Sequence, residues 1–270
     1  MDKTLTKLVV DNAHGAYLRF LPESKHPMDL GADLCCDSAH KTLPVLTGGA
    51  YLHIGAHLPM SLRAQVKQAL SLFGSTSPSY LILQSLDGCN AYLCDGFAAD
   101  VATCCDRVQE LKTALIRNGY SLTGDEPLKI TVATKGYGYT GNEVAAYLER
   151  EGIVCEFADP DYVVMMFAPA HTAEDFRRLT TALCALTKRE PLTDTMPAIG
   201  KPQVKTSLRD ALFAPAEVLP LDRCVGRVLA SPTVSCPPAV PVLVGGEAVD
   251  ESAVAVFRYY GYTALRVIKD

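Results

Sequence analysis

Two short apolar runs near the start of the chain each lead into polar side chains, and this arrangement limits the fold more than any other feature. Leu8-Val9-Val10 is followed by Asp11, and the run 32–36 leads into Ser38-Ala39-His40-Lys41-Thr42. Short apolar runs that alternate with helical patterns predict the strands of an α/β sheet. Open α/β sheets bind their ligands beyond the carboxyl ends of the strands. The sequence therefore predicts a ligand site at which Asp11 and Lys41 meet.

Lys41 is the residue of this pair whose chemistry is most unusual for its place. An ammonium group is costly to remove from water, so burial at the end of a strand lowers the pKa of a lysine. Such an amine is a nucleophile that can form a Schiff base. A neighbouring carboxylate, here Asp11, can keep a pyridinium nitrogen protonated. The alternative is a surface lysine at a strand-to-turn junction.

The rest of the pattern continues the alternation of strands and helices. Strands are predicted over residues 50–54, 128–133, 153–157 and 162–167, and helices over 61–73, 81–118, 142–151 and 172–186. Asp87-Gly88 and Asp95-Gly96 are candidate interruptions of the long second helix. Residues 208–211, 216–218 and 240–244 are expected to form a small terminal module. The predicted fold class is α/β, followed by an α+β unit after the long helix.

Charge, hydropathy and cysteine spacing exclude several classes of function. The net charge is −5 and no lysine and arginine cluster is present, so no nucleic-acid partner is expected. No run approaches the roughly 18 apolar residues of a membrane span, and the first residues lack a signal peptide. We therefore expect a cytoplasmic protein whose ten cysteines are buried free thiols. No metal site is predicted, and His53, His57 and His171 are expected at the edge of the core or on the surface.

Two motifs narrow the interpretation further. The segments Val10-Asp11-Asn12-Ala13-His14-Gly15 and Ser38-Ala39-His40-Lys41-Thr42-Leu43 closely resemble the bacterial ornithine/lysine/arginine decarboxylases. These are pyridoxal-phosphate enzymes of the aspartate-aminotransferase-like group. The likeness continues through residues 76–87 and returns at Arg209-Asp210-Ala211, Gly226-Arg227 and the segment 237–243, so it covers essentially the whole chain.

The resemblance implies a fold and a set of site residues. The fold is an incomplete aspartate-aminotransferase-like large domain followed by a smaller α+β C-terminal domain. Residues 1–120 would be the remainder of the pyridoxal-phosphate-binding domain with its long linking helix, and residues 121–270 the C-terminal domain, with a linker at about 191–202. The implied site has Lys41 as the Schiff-base lysine, Asp11 on the pyridine nitrogen, Ala13 against the ring, His14 near the ring hydroxyl, Ser38 and His40 facing the phosphate, and Thr76 and Ser77 in a loop that reaches a neighbouring subunit's cofactor.

The implied activity is pyridoxal-phosphate-dependent decarboxylation of lysine, ornithine or arginine by a homodimer or higher oligomer. The chain departs from the family pattern at Asn12, Gly48-Gly49, Asn90 and Ala239. The largest departure is length, because the family segment that stacks on the ring and holds most of the phosphate has no counterpart before Asp11. We therefore expect a truncated form, or a catalytically incomplete subunit that a separate N-terminal chain completes.

A further interpretation rests on the glycines between residues 136 and 141. Gly136-Tyr137-Gly138-Tyr139-Thr140-Gly141 matches the dinucleotide-binding fingerprint, and Glu156 follows about 20 residues after the first glycine. This would make the chain a nucleotide-binding module. The alternative is a tight glycine-rich turn that leads into a helix.

Overall fold

The computed structural model describes residues 6–232 and 240–269 and divides into two compact units. The first unit comprises residues 1–114, 125–129 and 166–181, and the second comprises 115–124, 130–165 and 182–270. The domain boundaries predicted from the sequence, residues 1–120 and 121–270, remain a prediction. Residues 187–203, which include the predicted linker, form no helix or strand.

The first unit contains a three-stranded sheet that carries both motifs. Its strands are β1 (Val9–Asp11), β2 (Leu34–Asp37) and β3 (Tyr51–Ile54), in the order β1-β2-β3. β1 and β2 are parallel, whereas β2 and β3 are antiparallel. A 3-10 segment, Ala16–Phe20, follows β1, and the short helix α1 (Ala39–Thr42) follows β2. The three strands predicted from the apolar runs are confirmed within one or two residues.

The helices that follow the sheet are α2 (Met60–Phe73), α3 (Tyr80–Cys94) and α4 (Phe97–Arg117). The single helix predicted over residues 81–118 is therefore two helices. The break falls at Gly96, whose φ of 104° favours glycine, whereas Gly88 lies within α3. Gly119, with φ of 92°, follows the end of α4. The buried residues of α4 recur every three or four positions and form one stripe: Val101, Cys104, Val108, Leu111 and Leu115.

The second unit contains most of a four-stranded sheet, in the order β4-β5-β7-β6. Its strands are β4 (Ser121–Thr123), β5 (Lys129–Ala133), β6 (Phe157–Ala158) and β7 (Tyr162–Met166), and α5 (Gly141–Arg150) connects β5 to β6. The prediction of a strand over residues 153–156 is wrong. The Ile153 N–H donates to the Leu148 carbonyl, so the start of this segment closes the end of α5. Pairing with β7 begins only at Glu156, whose N–H donates to the Val164 carbonyl. Helix α6 (Ala173–Ala185) confirms the helix predicted over 172–186.

The terminal module packs one helix against a two-stranded sheet. α7 (Leu208–Phe213) precedes β8 (Ala216–Pro220), and α8 (Glu251–Tyr259) precedes β9 (Ala264–Ile268), which pairs with β8 in an antiparallel arrangement. Leu219, Leu229, Phe257, Leu265 and Val267 form its buried core. Residues 240–244 are not a strand, because Pro241 has no N–H and the Val244 N–H donates to the Glu247 carboxylate. Cys236 and the segment 237–239 lie outside the described residues.

The cysteines of the described residues are only partly buried, and their helices are not of the membrane-spanning type. The nine described cysteines are free, and Cys35, Cys89, Cys104 and Cys224 are buried as predicted. Cys36, Cys94 and Cys184 are exposed, so the prediction of burial is wrong for these three. Among residues 6–232 and 240–269, no helix has the length and apolar character needed to cross a membrane.

Candidate active site

The carboxyl ends of β1 and β2 bring the two motifs together at one edge of the sheet. Asp11 is the last residue of β1 and pairs with Cys36 of β2. Both residues are exposed and lie on the same face of the sheet, whereas Cys35 and Asp37 point to the buried face. This is the alternation expected of strands. Burial and the nearby Asp11 carboxylate raise the pKa of the Cys36 thiol.

The segment Ser38–Thr42 forms the turn that carries the predicted lysine. Ser38 precedes α1, and its hydroxyl does not cap the helix. The backbone N–H of Lys41 donates to the Ser38 carbonyl at 2.9 Å. His40 is held by Gly49, whose carbonyl accepts from the His40 backbone N–H at 3.2 Å and lies 3.0 Å from Nδ1. A Cβ on Gly49, at one of the departures from the family pattern, would lie 2.3 Å from Val45 Cγ1 and would force the Val45 side chain to move.

Lys41 is exposed on the third position of α1. The prediction that it ends a buried strand is wrong, because β2 ends at Asp37. The residues that the structure describes therefore do not desolvate the Lys41 amine. Within them, neither Lys41 Nζ nor the Asp11 carboxylate has a hydrogen-bond or ion-pair partner. Both groups are available to a ligand or to further protein.

The other predicted site residues occupy two places. Ala13 and His14 follow β1 and are half-buried, on the same edge of the sheet as Asp11. Thr76 and Ser77 lie in the exposed loop between α2 and α3. In that loop the Ser77 N–H donates to Ser75 Oγ at 3.1 Å, and no hydrogen bond between described residues joins Thr76 or Ser77 to the segment Ser38–Thr42. The structure therefore groups six of the eight predicted residues at the sheet edge and leaves the loop apart.

A buried carboxylate next to Ser38 is the most highly connected polar group of the sheet. Asp37 is 2% exposed. Its Oδ2 lies 2.9 Å from His26 Nε2 and 2.8 Å from His53 Nε2. Its Oδ1 accepts from Asn12 Nδ2 at 2.7 Å and lies 3.5 Å from Cys35 Sγ. Burial favours a higher pKa for Asp37, but the hydrogen bonds from His53, His26 and Asn12 outweigh it and lower the pKa to about 2.

Sequence inspection missed this group because its members are far apart along the chain. His26 and His53 are 11 and 16 residues from Asp37, and Asn12 is 25 residues away. His53 is half-buried and His57 is exposed, as expected for the edge of the core and the surface, and His57 Nε2 lies 3.0 Å from Asp33 Oδ1. The sequence signal for this group was the acidic residue Asp37, which lies on the same face of the predicted strand as Cys35, two residues before it.

Asp37 and its two histidines also line a pocket of about 270 Å³. The wall includes Tyr51, Leu43 and Asn90. Asp37 points to the buried face of the sheet, and Tyr51 is its cross-strand neighbour on that face. The pocket therefore lies on the face opposite the Asp11 carboxylate. It is a separate cavity from the open face that carries Asp11 and Cys36.

The glycine-rich turn at residues 136–141 is filled by protein atoms. The Thr140 N–H donates to the Glu143 carboxylate at 2.8 Å, and the Glu143 N–H donates to Thr140 Oγ1 at 3.2 Å. This capping box places an anionic side chain where a nucleotide phosphate would bind the start of α5. A Cβ on Gly141 would lie 1.9 Å from the Tyr162 carbonyl oxygen. These contacts favour a tight structural turn over a dinucleotide site.

Family models match both ends of the chain. Residues 1–121 match the model described as Orn/Lys/Arg decarboxylase, major domain, and residues 198–266 match Orn/Lys/Arg decarboxylase, C-terminal domain. The chain belongs to the Orn/Lys/Arg decarboxylase family. The resemblance noted from the motifs at Asp11 and Lys41 is thereby confirmed.

Relatives within the Orn/Lys/Arg decarboxylase family are similar along most of this chain. An arginine decarboxylase of Halalkalibacterium halodurans is 30% identical over 93% of this chain and 55% of the relative. An arginine decarboxylase of Bacillus subtilis is 29% identical over 92% of this chain and 54% of the relative. The chain thus spans about half the length of the curated relatives it matches.

Solved structures show the same fold. The lysine decarboxylase of Francisella novicida superposes with a TM-score of 0.73 at 17% identity, covering 97% of this chain and 54% of that one. A serine palmitoyltransferase of Sphingomonas wittichii gives a TM-score of 0.54 over 66% of this chain and 46% of that one, at 13% identity. The predicted fold class, an incomplete aspartate-aminotransferase-like large domain followed by a smaller α+β domain, is confirmed.

Proposed function

We propose that this member of the Orn/Lys/Arg decarboxylase family supplies the lysine and carboxylate part of a pyridoxal-phosphate site that decarboxylates a basic amino acid. The observation that carries the proposal is the placement of Asp11 and the Ser38–Lys41 turn at the carboxyl ends of two paired parallel strands. Lysine, ornithine and arginine are the candidate substrates, and the products are carbon dioxide and a diamine or agmatine.

The polar atoms at this edge suit the chemical groups of pyridoxal phosphate. Lys41 provides an amine for the aldehyde, and Asp11 provides a carboxylate that holds a proton on the ring nitrogen. Both groups lack protein partners among the described residues. When bound, pyridoxal phosphate supplies a ring that accepts the electrons released as the substrate loses its α-carboxylate. Ala13 and His14 are the neighbours assigned to the ring and its hydroxyl.

Ser38, His40 and Thr42 are the candidate donors for the phosphate end. The Ser38 hydroxyl is not used as a helix cap. The Thr42 hydroxyl is buried without a hydrogen-bond partner in the described part of the chain, which is costly unless a ligand or further protein pairs with it. His40 Nδ1 faces the Gly49 carbonyl, so His40 donates to a phosphate only when Nε2 also carries a proton. These groups fit a phosphate but form a sparse cradle.

The sparse cradle supports the second part of the proposal, that protein beyond this sequence completes the site. Asp11 and Cys36 are exposed on an open sheet face. Leu8 and Val9, on the same strand segment, are 54% and 64% exposed. We infer that these two adjacent apolar residues, next to the polar site, belong to an interaction surface. A separate N-terminal chain that covers this face would desolvate Lys41 and add phosphate ligands.

Self-association is the third part of the proposal. No residue of α2 is buried, and Leu72 and Phe73 are 72% and 91% exposed. This surface leads directly into the loop that contains Thr76 and Ser77. We assign it to contact with a second copy of the chain, which would bring the loop to the partner's cofactor site.

Binding of pyridoxal phosphate tests the proposal directly. The chain, alone and co-expressed with the product of the coding sequence immediately upstream, is mixed with pyridoxal phosphate and reduced with borohydride. Peptide mass spectrometry then locates the attached cofactor. We expect attachment at Lys41 that is lost in Lys41→Ala and retained in Lys201→Ala, a control at an exposed lysine.

Activity is measured as carbon dioxide release from lysine, ornithine and arginine. Attachment by the isolated chain without activity would support a subunit that needs a partner. Attachment spread over several lysines, or unchanged in Lys41→Ala, would contradict the proposed site. Release of carbon dioxide from none of the three substrates by a cofactor-loaded complex would contradict the proposed reaction.

A further inference from the structure

The Asp37 carboxylate is the centre of a hydrogen-bond network that spans all three strands of the first sheet. His26 and His53 approach Oδ2, and Asn12 and Cys35 approach Oδ1. Asn12 follows β1, Cys35 lies on β2 and His53 lies on β3. A carboxylate with two oxygens accepts about four hydrogen bonds. The four neighbours therefore satisfy Asp37 completely and leave it no capacity for a ligand.

The protonation of His26 distinguishes this network from a metal site. His26, Cys35 and Asp37 are buried and close enough together to be considered as ligands. However, the Met28 backbone N–H donates to His26 Nδ1 at 3.3 Å. In neutral His26 the proton is then on Nε2, which donates to Asp37. A metal ligand needs an unprotonated nitrogen, so the geometry favours hydrogen bonds from His26 over coordination.

Asn12 connects this buried network to the open face of the sheet. Neighbouring residues of an extended segment point to opposite faces. The Asn12 side chain reaches Asp37 on the buried face at 2.7 Å, while Asp11 shares the exposed face with Cys36. The Asn12 backbone N–H also donates to the Cys36 carbonyl at 2.9 Å. Rotation of the strand end that moved Asp11 would therefore break the bond between Asn12 and Asp37.

We propose that Asp37 is a positioning residue that fixes the direction of the Asp11 carboxylate through Asn12. Asp37 does not touch Asp11, because the two side chains lie on opposite faces of the sheet. The proposal rests on the proposed function only in giving Asp11 a cofactor role. The positioning itself is a property of the ligand-free protein and can be measured there.

Cys36 is a natural reporter of where the Asp11 carboxylate lies. The pKa of this thiol is raised first by partial burial and second by the negative charge of the Asp11 carboxylate. The rate of alkylation by iodoacetamide follows the thiolate fraction, and mass spectrometry of fragmented peptides separates Cys36 from the buried Cys35. Loss of the Asp11 charge in Asp11→Asn should accelerate alkylation of Cys36 roughly twofold or more at about pH 8, as expected for two charges screened by water.

The decisive variant is Asn12→Ala, which changes no charge. We expect it to lower the pKa of Cys36 in the same direction as Asp11→Asn, by a part of that shift, because the carboxylate is released. Asn90→Ala is the matched control, since Asn90 lines the same pocket without a hydrogen bond to Asp37. His57→Ala is a second control that weakens the same sheet at Asp33. Neither control should change the pH profile of Cys36.

Three outcomes would overturn the proposal. The first is an unchanged Cys36 profile in Asn12→Ala together with a shifted one in Asp11→Asn. The second is an unchanged profile in Asp11→Asn itself, which would mean that Asp11 does not face Cys36. The third is stoichiometric binding of Zn²⁺ or Co²⁺ that His26→Ala abolishes, which would make the network a ligand set. Failure to bind pyridoxal phosphate both alone and with the co-expressed upstream product would contradict the proposed function and would leave this measurement valid.

Discussion

His53 Nε2 lies 2.8 Å from Asp37 Oδ2, and the two residues come from neighbouring antiparallel strands. The contact joins a half-buried imidazole on β3 to a carboxylate that is 2% exposed on β2. It contributes to the low pKa of Asp37 and gives the sheet a dependence on pH.

Unfolding of the protein should become easier in acid because of Asp37. Its pKa falls from the usual 3.8 to about 2 in the folded protein. The carboxylate therefore stabilises the fold above about pH 4, and this contribution of about 2 kcal/mol is lost as the pH falls towards 2. We expect urea denaturation between pH 5 and pH 2 to show a loss that Asp37→Asn reduces. A slope in Asp37→Asn equal to that of the wild type would contradict the assignment.

Lys135 is predicted to hold the second unit together through a cluster of oxygen atoms. Its ammonium contacts Asp161 at 3.0 Å, Asp194 at 2.9 Å and the Tyr259 hydroxyl, and only 13% of its side chain is exposed. Lys135→Met leaves Asp161 without its cation and should lower the free energy of unfolding by about 1–3 kcal/mol. Denaturant titration checks this, with Lys201→Met as an exposed control. Equal stability of the two variants would show that the cluster is not stabilising.

Two glycines of the same motif should respond oppositely to alanine. Gly141→Ala places a Cβ 1.9 Å from the Tyr162 carbonyl oxygen, and we expect a cost of roughly 2 kcal/mol or more from the forced displacement. Gly136 has no atom within 4 Å of the corresponding position, so Gly136→Ala should be nearly neutral. Thermal denaturation compares the two. If the motif instead bound a dinucleotide, added NAD would stabilise the wild-type protein, and we expect no such shift.

Self-association should depend on the exposed end of α2. Phe73→Asp introduces a charge at a side chain that is 91% exposed in the single chain, and burying that charge in an interface would be costly. We expect light scattering after size exclusion to show a smaller species for Phe73→Asp than for the wild type. Val154→Asp, at a residue 87% exposed in the second unit, should associate normally. A monomeric wild type would contradict the assignment of this surface.

Local sequence signals predicted much of the fold. Apolar runs located β1, β2 and β3, and the spacing of apolar residues located α2, α5 and α6 within one or two residues. The predictions were wrong where a single backbone hydrogen bond or dihedral angle decides whether a segment continues a helix, ends it or forms a strand. The Ile153 N–H closes α5 by donating to the Leu148 carbonyl. The apolar composition of this segment is that of a strand, so composition does not reveal the bond. Gly96 breaks a helix that Gly88 does not break, because only Gly96 adopts a positive φ.

The sequence by itself determined the family, through the motifs at Asp11 and Lys41, and the edge of the sheet at which those residues meet. Motif residues are adjacent in the chain, so their spacing is directly readable. Only the tertiary structure decided that Lys41 is exposed in the described chain and that Asp37 is the buried centre of the sheet. Burial and the partners of a carboxylate depend on side chains that are 11 to 25 residues away, which no local pattern encodes.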